Sequence, residues 1–359
     1  MTGYIEIVGA GVIWATTGPF VRFLSTLGWS PWDIVLGRAL FATAFMGLWL
    51  LVKWYRGHNV PAPGYIRRPL SESAAPEGYT PSKFAPESEG TGKLTPESVP
   101  QGELGREKLA PDRGDIVAFL LLGILAVMLS QISYFYALSA TTVAVAVTLN
   151  YTAPFFVLLI SLLFLGEKVT REKVIALFMA FLGVVLISGL GEEGGTLTVS
   201  PLGFVAGLLS GASYGAQTVV YKKLGRKYGP VSLNFWTMAF GGSLLFCVLS
   251  VWRGGVVEFV RALPPAWPKS LFHFALMGLG PGTTAFILFA DGINKVEATR
   301  GSIAALAEPL AAYVIGYFFL GESLSLRGIV GALSVLSAIA VVSASQALRM
   351  RKIIRVAGR

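Results

Sequence analysis

Glu308, directly before Pro309, is the residue whose position most suggests chemistry. It stands 13 residues beyond Lys295 in an apolar run, about 20 Å along a helix that rises about 1.5 Å per residue. A carboxylate at that depth costs about 2.5–3.5 kcal/mol on insertion scales, so it must face protein or a wet cavity rather than lipid. There it can bind the amine of a solute or exchange a proton against it. The plainer alternative is a protonated acid hydrogen-bonded to a neighbouring helix. Pro309 and Pro154 each fall about halfway along an apolar run. A proline inside a helix frees a carbonyl, and in transport proteins such breaks open backbone groups toward a cavity. A tolerated kink is the other reading.

Other polar side chains cluster at the same depth. Asn150 and Tyr151 precede Pro154; Gln131 and Tyr134 are three apart, as are Trp14 and Thr17, and Tyr214 and Gln217. Residues three apart share a helix face, and polar faces in apolar runs should point inward. Arg38 follows Asp33 by five residues; it either snorkels outward or anchors a carboxylate in a cavity. Asp291 closes its run near Lys295 and reads as an interfacial charge or a solute ligand. These residues are the candidate solute contacts, with Pro154 and Pro309 as candidate breaks. No catalytic residue, metal ligand or cofactor is expected. His58 and His273 are the only histidines and Cys247 the only cysteine, so cysteine-rich metal sites and disulfides are out. Neither a G-x-x-x-x-G-K-[ST] loop nor H-E-x-x-H is present.

The elements that must hold these groups are membrane helices. The 359 residues are 54% hydrophobic and 14% charged, against about 25% charged in soluble domains. Apolar runs at 4–24, 32–54, 115–138, 141–165, 172–190, 201–221, 230–251, 270–291, 297–320 and 327–347 each suffice to cross about 30 Å of hydrocarbon. They are too long and too evenly apolar for barrel strands. The fold class expected is an all-α polytopic membrane protein. Its ten transmembrane helices form two inverted five-helix repeats. The first repeat takes 1–56 (spans one and two) and 114–195 (spans three to five), and the second takes 196–348 (spans six to ten). A basic tail follows at 349–359. Between them, 57–113 holds nine prolines and too little apolar content to order itself; it is expected to be a disordered cytoplasmic insertion. With the N-terminus inside, the inner segments hold 23 Lys and Arg and the outer ones five. That asymmetry places both termini in the cytoplasm.

The repeat is visible in residues. An offset of 200 pairs Gly11 with Gly211, Trp14 with Tyr214 and Leu24 with Leu224. An offset of 155 pairs Pro154 with Pro309, and Phe164-Leu165-Gly166-Glu167 with Phe319-Leu320-Gly321-Glu322. Five spans per half is an odd number, so equivalent helices enter from opposite sides, the arrangement of alternating-access transporters. Gly203, Gly207, Gly211 and Gly215 recur every four residues and make a stripe for close backbone packing.

The first-span run Gly11-Val12-Ile13-Trp14-Ala15-Thr16-Thr17-Gly18-Pro19-Phe20, Arg38 early in the second span, the Phe-Leu-Gly-Glu exits and Glu308-Pro309 resemble EamA-type members of the drug/metabolite transporter superfamily. The resemblance covers the chain except 57–113, which departs from a usually short loop. It implies ten helices, cytoplasmic termini and a central cavity lined chiefly by spans one, three, four, six, eight and nine. It also implies export of amino acids or related metabolites. The expectation is therefore a secondary transporter in the plasma (inner) membrane. Its partners are a small-molecule substrate and the bilayer, not nucleic acid; oligomeric state stays open, with a monomer plausible. A membrane-embedded enzyme and a passive channel are the alternatives.

Overall fold

A computed structural model describes residues 2–55, 108–189, 200–265, 267–320 and 325–357. Its regular elements are helical, and no named strand occurs among the described residues. In chain order they are α1 (Thr2–Ala15), α2 (Thr17–Thr26), α3 (Pro31–Tyr55), α4 (Ile116–Gly123), α5 (Ser130–Ala140), α6 (Val143–Asn150), α7 (Ala153–Phe164) and α8 (Arg171–Ile187). There follow α9 (Pro201–Leu224), α10 (Pro230–Trp252), α11 (Val256–Arg261), α12 (Trp267–Leu279), α13 (Ala285–Lys295), α14 (Ala298–Ala305), α15 (Ala307–Leu320) and α16 (Leu326–Ala357). Eight helical stretches among the described residues are long and apolar enough to cross a membrane. They are Thr2–Thr26, Pro31–Tyr55, Arg113–Ala140, Val143–Phe164, Pro230–Trp252, Trp267–Lys295, Ala298–Phe319 and Leu326–Leu348. The remaining long helices are α8, with 17 residues, and the glycine-rich α9, with 24.

Three of the eight stretches are broken near the middle, and each break has a proline just after it. Pro19 lies in the first turn of α2, Pro154 in that of α7 and Pro309 in that of α15. The first turn of a helix is where a missing N–H costs nothing, so the chain restarts there instead of straining through. The break at Thr16 was not expected from the continuous run 4–24. Two other stretches contain a π-helical turn, at Ile124–Leu129 between α4 and α5 and at Gly280–Thr284 between α12 and α13. The second is formed by Gly280-Pro281-Gly282, where proline removes a donor and glycine eases the wider turn.

Packing runs through glycine. An added Cβ on Gly11 would come within 2.9 Å of the Glu308 amide nitrogen, at the α14–α15 break. One on Gly211 would come within 2.9 Å of the Leu149 and Asn150 carbonyl oxygens, at the α6–α7 break. Gly203, Gly207 and Gly215 meet Ala140, Leu149 and Phe156 in the same way, so the α9 stripe is where α5, α6 and α7 pack. α1 packs likewise on α13, α14 and α15. α8 runs along α16 through Gly183 against Gly331, and α3 packs on α10.

Tyr4 near the start of the chain donates to Val342 O of α16 at 3.1 Å, so both chain ends lie at one end of the bundle. α16 continues as helix to Ala357, so the tail expected at 349–359 is largely an extension of the last helix. Residues 57–107 of the expected insertion lie outside the described residues, as do Gly321 and Glu322. Residues 108–113 correct the insertion's boundary. The Leu109 carbonyl accepts from Ser232 at 2.7 Å and from Trp236 Nε1 at 2.9 Å. Asp112 pairs with Lys227 at 2.6 Å and with Lys108 at 2.7 Å. This short segment is tied to α10 by partners that lie over a hundred residues away in sequence.

Candidate functional site

The three half-helix breaks meet at one cavity of about 710 Å³. It reaches the end of the bundle opposite the chain termini, where Thr17, Gly18 and Arg22 of α2, Leu138 of α5, Val143 of α6 and Ile187 of α8 line its mouth. Its floor, at mid-bundle, holds Glu308 and Pro309 with Trp14, Tyr151, Tyr214 and Phe286 around them. Below the floor the helices close: Ile7, Ala10, Ile293, Ile303 and Ala304 are all fully buried. The cavity is a dead-end vestibule.

Each wall follows from local structure. The break after Ala305 puts Glu308 in the first turn of α15, where partial positive charge of the backbone favours a carboxylate. Tyr151 at the α6–α7 break and Arg38 of α3 both lie close enough to act on that carboxyl group electrostatically. Arg38 therefore points into the cavity and does not snorkel outward, and its Nε is buried with no hydrogen-bond partner. Asn150 lines the cavity and accepts from Ser210 of α9 at 2.7 Å. Trp14 Nε1 donates to Pro281 O at 3.1 Å, a carbonyl within the π-helical turn. The Trp14 ring sits edge-on to Phe286 with centroids 5.0 Å apart, so the same side chain packs and walls the cavity.

Of the residues singled out from sequence, Trp14, Thr17, Arg38, Gln131, Tyr134, Asn150, Tyr151, Tyr214, Glu308 and Pro309 line this space. Three lie elsewhere. Gln217 is buried beside the Tyr221 hydroxyl, one turn further along α9. Asp291 sits at the end bearing the termini, paired with Lys295 at 2.8 Å, and Lys295 also reaches Glu6 at 2.5 Å. That pairing leaves Asp291 outside the cavity. Pro154 is buried under the cavity wall. Phe286, Arg22 and Tyr313 also line the cavity and were not anticipated. Nothing in an apolar run separates a cavity aromatic from a lipid-facing one. The unexpected Thr16 break, in contrast, has a sequence signal that could have found it, Gly18-Pro19.

A sequence model of the EamA-like transporter family matches residues 103–189 and 201–344. The chain belongs to the EamA-like transporter family. Several curated relatives are named as transporters. An uncharacterized transporter of Archaeoglobus fulgidus is 31% identical over 213 residues, 59% of this chain and 72% of its own. Protein PecM of Dickeya dadantii is 26% identical over 251 residues, 68% of this chain and 80% of its own. A solved crystal structure superposes with TM-score 0.64 over 97% of this chain and 98% of its own, at 16% identity, so the fold recurs there. This EamA-like transporter is a multi-pass membrane protein with its candidate solute site in the vestibule.

Proposed function

We propose that this transporter is a secondary exporter of small amino-acid-like metabolites that works by alternating access. The observation carrying the reading is the dead-end vestibule with opposite charges, Glu308 and Arg38, at its depth. A passive channel needs a continuous path, whereas a carrier needs a site reachable from one side at a time. In our reading Glu308 receives the solute's ammonium or exchanges a proton against it, and the Arg38 guanidinium, whose Nε has no hydrogen-bond partner, receives a carboxylate. Tyr134, Tyr151, Tyr214, Gln131 and Asn150 supply the surrounding hydrogen bonds.

The moving parts are ten helices arranged as two inverted halves, α1–α8 and α9–α16, with both termini in the cytoplasm of the plasma membrane. Support for the halves comes from packing that repeats with the sequence offsets. Gly11 meets the α14–α15 break as Gly211 meets the α6–α7 break. The π-helical turns at 124–129 and 280–284 fall about one offset of 155 apart. Support for the orientation is the Lys and Arg asymmetry. No part of the reading requires a cofactor or catalytic step.

Counterflow into proteoliposomes tests the proposal, using labelled amino acids together with amines lacking a carboxylate and acids lacking an amine. Saturable counterflow restricted to solutes carrying both groups is expected. Flux that never saturates, or a panel in which no solute exchanges, overturns it.

A further inference from the structure

Below the vestibule, at the end bearing the termini, one carboxylate joins the two proposed halves. Glu167 lies in the α7–α8 corner and is 8% exposed. Its Oε1 accepts from the Ala298 amide at 2.5 Å. Its Oε2 accepts from the Thr299 amide at 3.3 Å, the Thr299 hydroxyl at 2.9 Å and Lys173 Nζ at 3.1 Å. Those two amides are the open N-terminal end of α14, whose own N-cap residue Glu297 makes no capping hydrogen bond with its side chain. A helix start leaves unsatisfied N–H groups and carries partial positive charge, so a carboxylate there is stabilising. Here the cap is supplied from 131 residues away in sequence. Fully buried Lys173 extends the join, pairing with Glu297 at 3.0 Å as well as Glu167. Arg300, 1% exposed, takes Glu297 at 2.5 Å and the Val342 carbonyl of α16 at 2.7 Å.

α14 is the inner half of the broken helix whose other half carries Glu308. Opening the inner side must separate α14 from the α7–α8 corner, and with it every bond Glu167 makes. The geometry points to Glu167 as the latch of the inner gate: a positioning residue that touches no solute and holds the vestibule's floor shut by capping α14. This inference rests on the alternating-access reading. It assigns Glu167 a part in transport that the cavity itself does not reveal. The pairing also accounts for a glutamate buried at a span exit, where a helix-end charge would ordinarily stay in water.

Single cysteines in a Cys247→Ala background test it in proteoliposomes with an impermeant thiol reagent. Ser302→Cys on α14 is 1% exposed and reports the inner side; Ala312→Cys lines the vestibule and reports the outer side. Adding Glu167→Ala should raise inner labelling of Ser302→Cys about tenfold while slowing outer labelling of Ala312→Cys, the size expected when one state loses a charge-assisted bond. Thr299→Val, which leaves the Glu167–Lys173 pair in place, should move both rates the same way by less. It carries the test if Glu167→Ala does not reach the membrane folded. Rates that rise at both positions indicate general loosening and overturn the latch. Labelling of Ser302→Cys that occurs without Glu167 substitutions and is unchanged by them overturns the latch alone. No inner labelling in any variant, with or without solute, overturns alternating access and the latch together.

Discussion

At the residue scale, the vestibule's chemistry concentrates on Glu308 and Arg38. Their side chains come from α15 and α3, and only the cavity brings them within electrostatic range. Glu308→Gln keeps the volume and the capacity to hydrogen-bond but removes ionisation. Normal expression with lost counterflow is expected, or counterflow that no longer varies with pH. Wild-type rate with a wild-type pH profile in that variant would falsify any role for the charge. Arg38→Lys keeps a cation but loses the planar fork that matches a carboxylate. It should raise KM for solutes carrying a carboxylate by about tenfold, on the order of one charged hydrogen bond, with less effect on kcat. Equal losses of kcat and kcat/KM would point instead to a role confined to the conformational step.

At the element scale, broken helices are held in place by backbone approach. A methyl on Gly11 or on Gly211 would sit 2.9 Å from the nearest backbone atom of its partner helices, where there is no room for it. Gly11→Ala and Gly211→Ala should each cost about 1–3 kcal/mol, the range for overpacking. Both are read as earlier thermal unfolding in detergent, whereas Gly18→Ala, with nothing within 4 Å of its added Cβ, should be neutral in the same assay. The segment 108–113 is a second element held from a distance. Hydrogen bonds from Lys108 and Lys227 keep the Asp112 carboxyl below the usual aspartate range. Because the folded value is depressed, this tether contributes fully above the unfolded aspartate value of about 4 and is lost as pH falls through the folded one. Asp112 is exposed, so the effect is small and salt-sensitive. Protease cleavage after Lys108 should quicken in Asp112→Asn at neutral pH, and high salt should narrow the difference. Equal cleavage in both proteins at low salt removes the tether from consideration.

At the scale of the whole molecule, the arrangement has the vestibule open at one end and the ionic network closing the other. Orientation in the bilayer decides what that means for flux. In a Cys247→Ala background, Lys223→Cys should react with an impermeant reagent from the cytoplasmic side and Thr26→Cys from the outside; both positions are exposed. Labelling of both from one side refutes the inverted halves. Reversed labelling keeps the halves but turns the vestibule toward the cytoplasm, and the proposed export direction falls with it.

The sequence by itself determined the membrane class, the positions of the breaks at Pro154 and Pro309, and the glycine contacts on α9. These depend on local properties: run length against bilayer thickness, a missing N–H, a missing Cβ. It also singled out Glu308, because a charge in an apolar run is conspicuous without any knowledge of its neighbours. Tertiary structure alone decided that Arg38 turns inward, that Gln217 packs against Tyr221 and that Asp291 belongs to a surface ion pair. It alone decided that Glu167, legible only as a span-exit charge, caps a helix 131 residues away. Helical spacing fixes which residues share a face but not which face meets the cavity. That choice is made by the packing of other helices, whose contacts lie far along the chain.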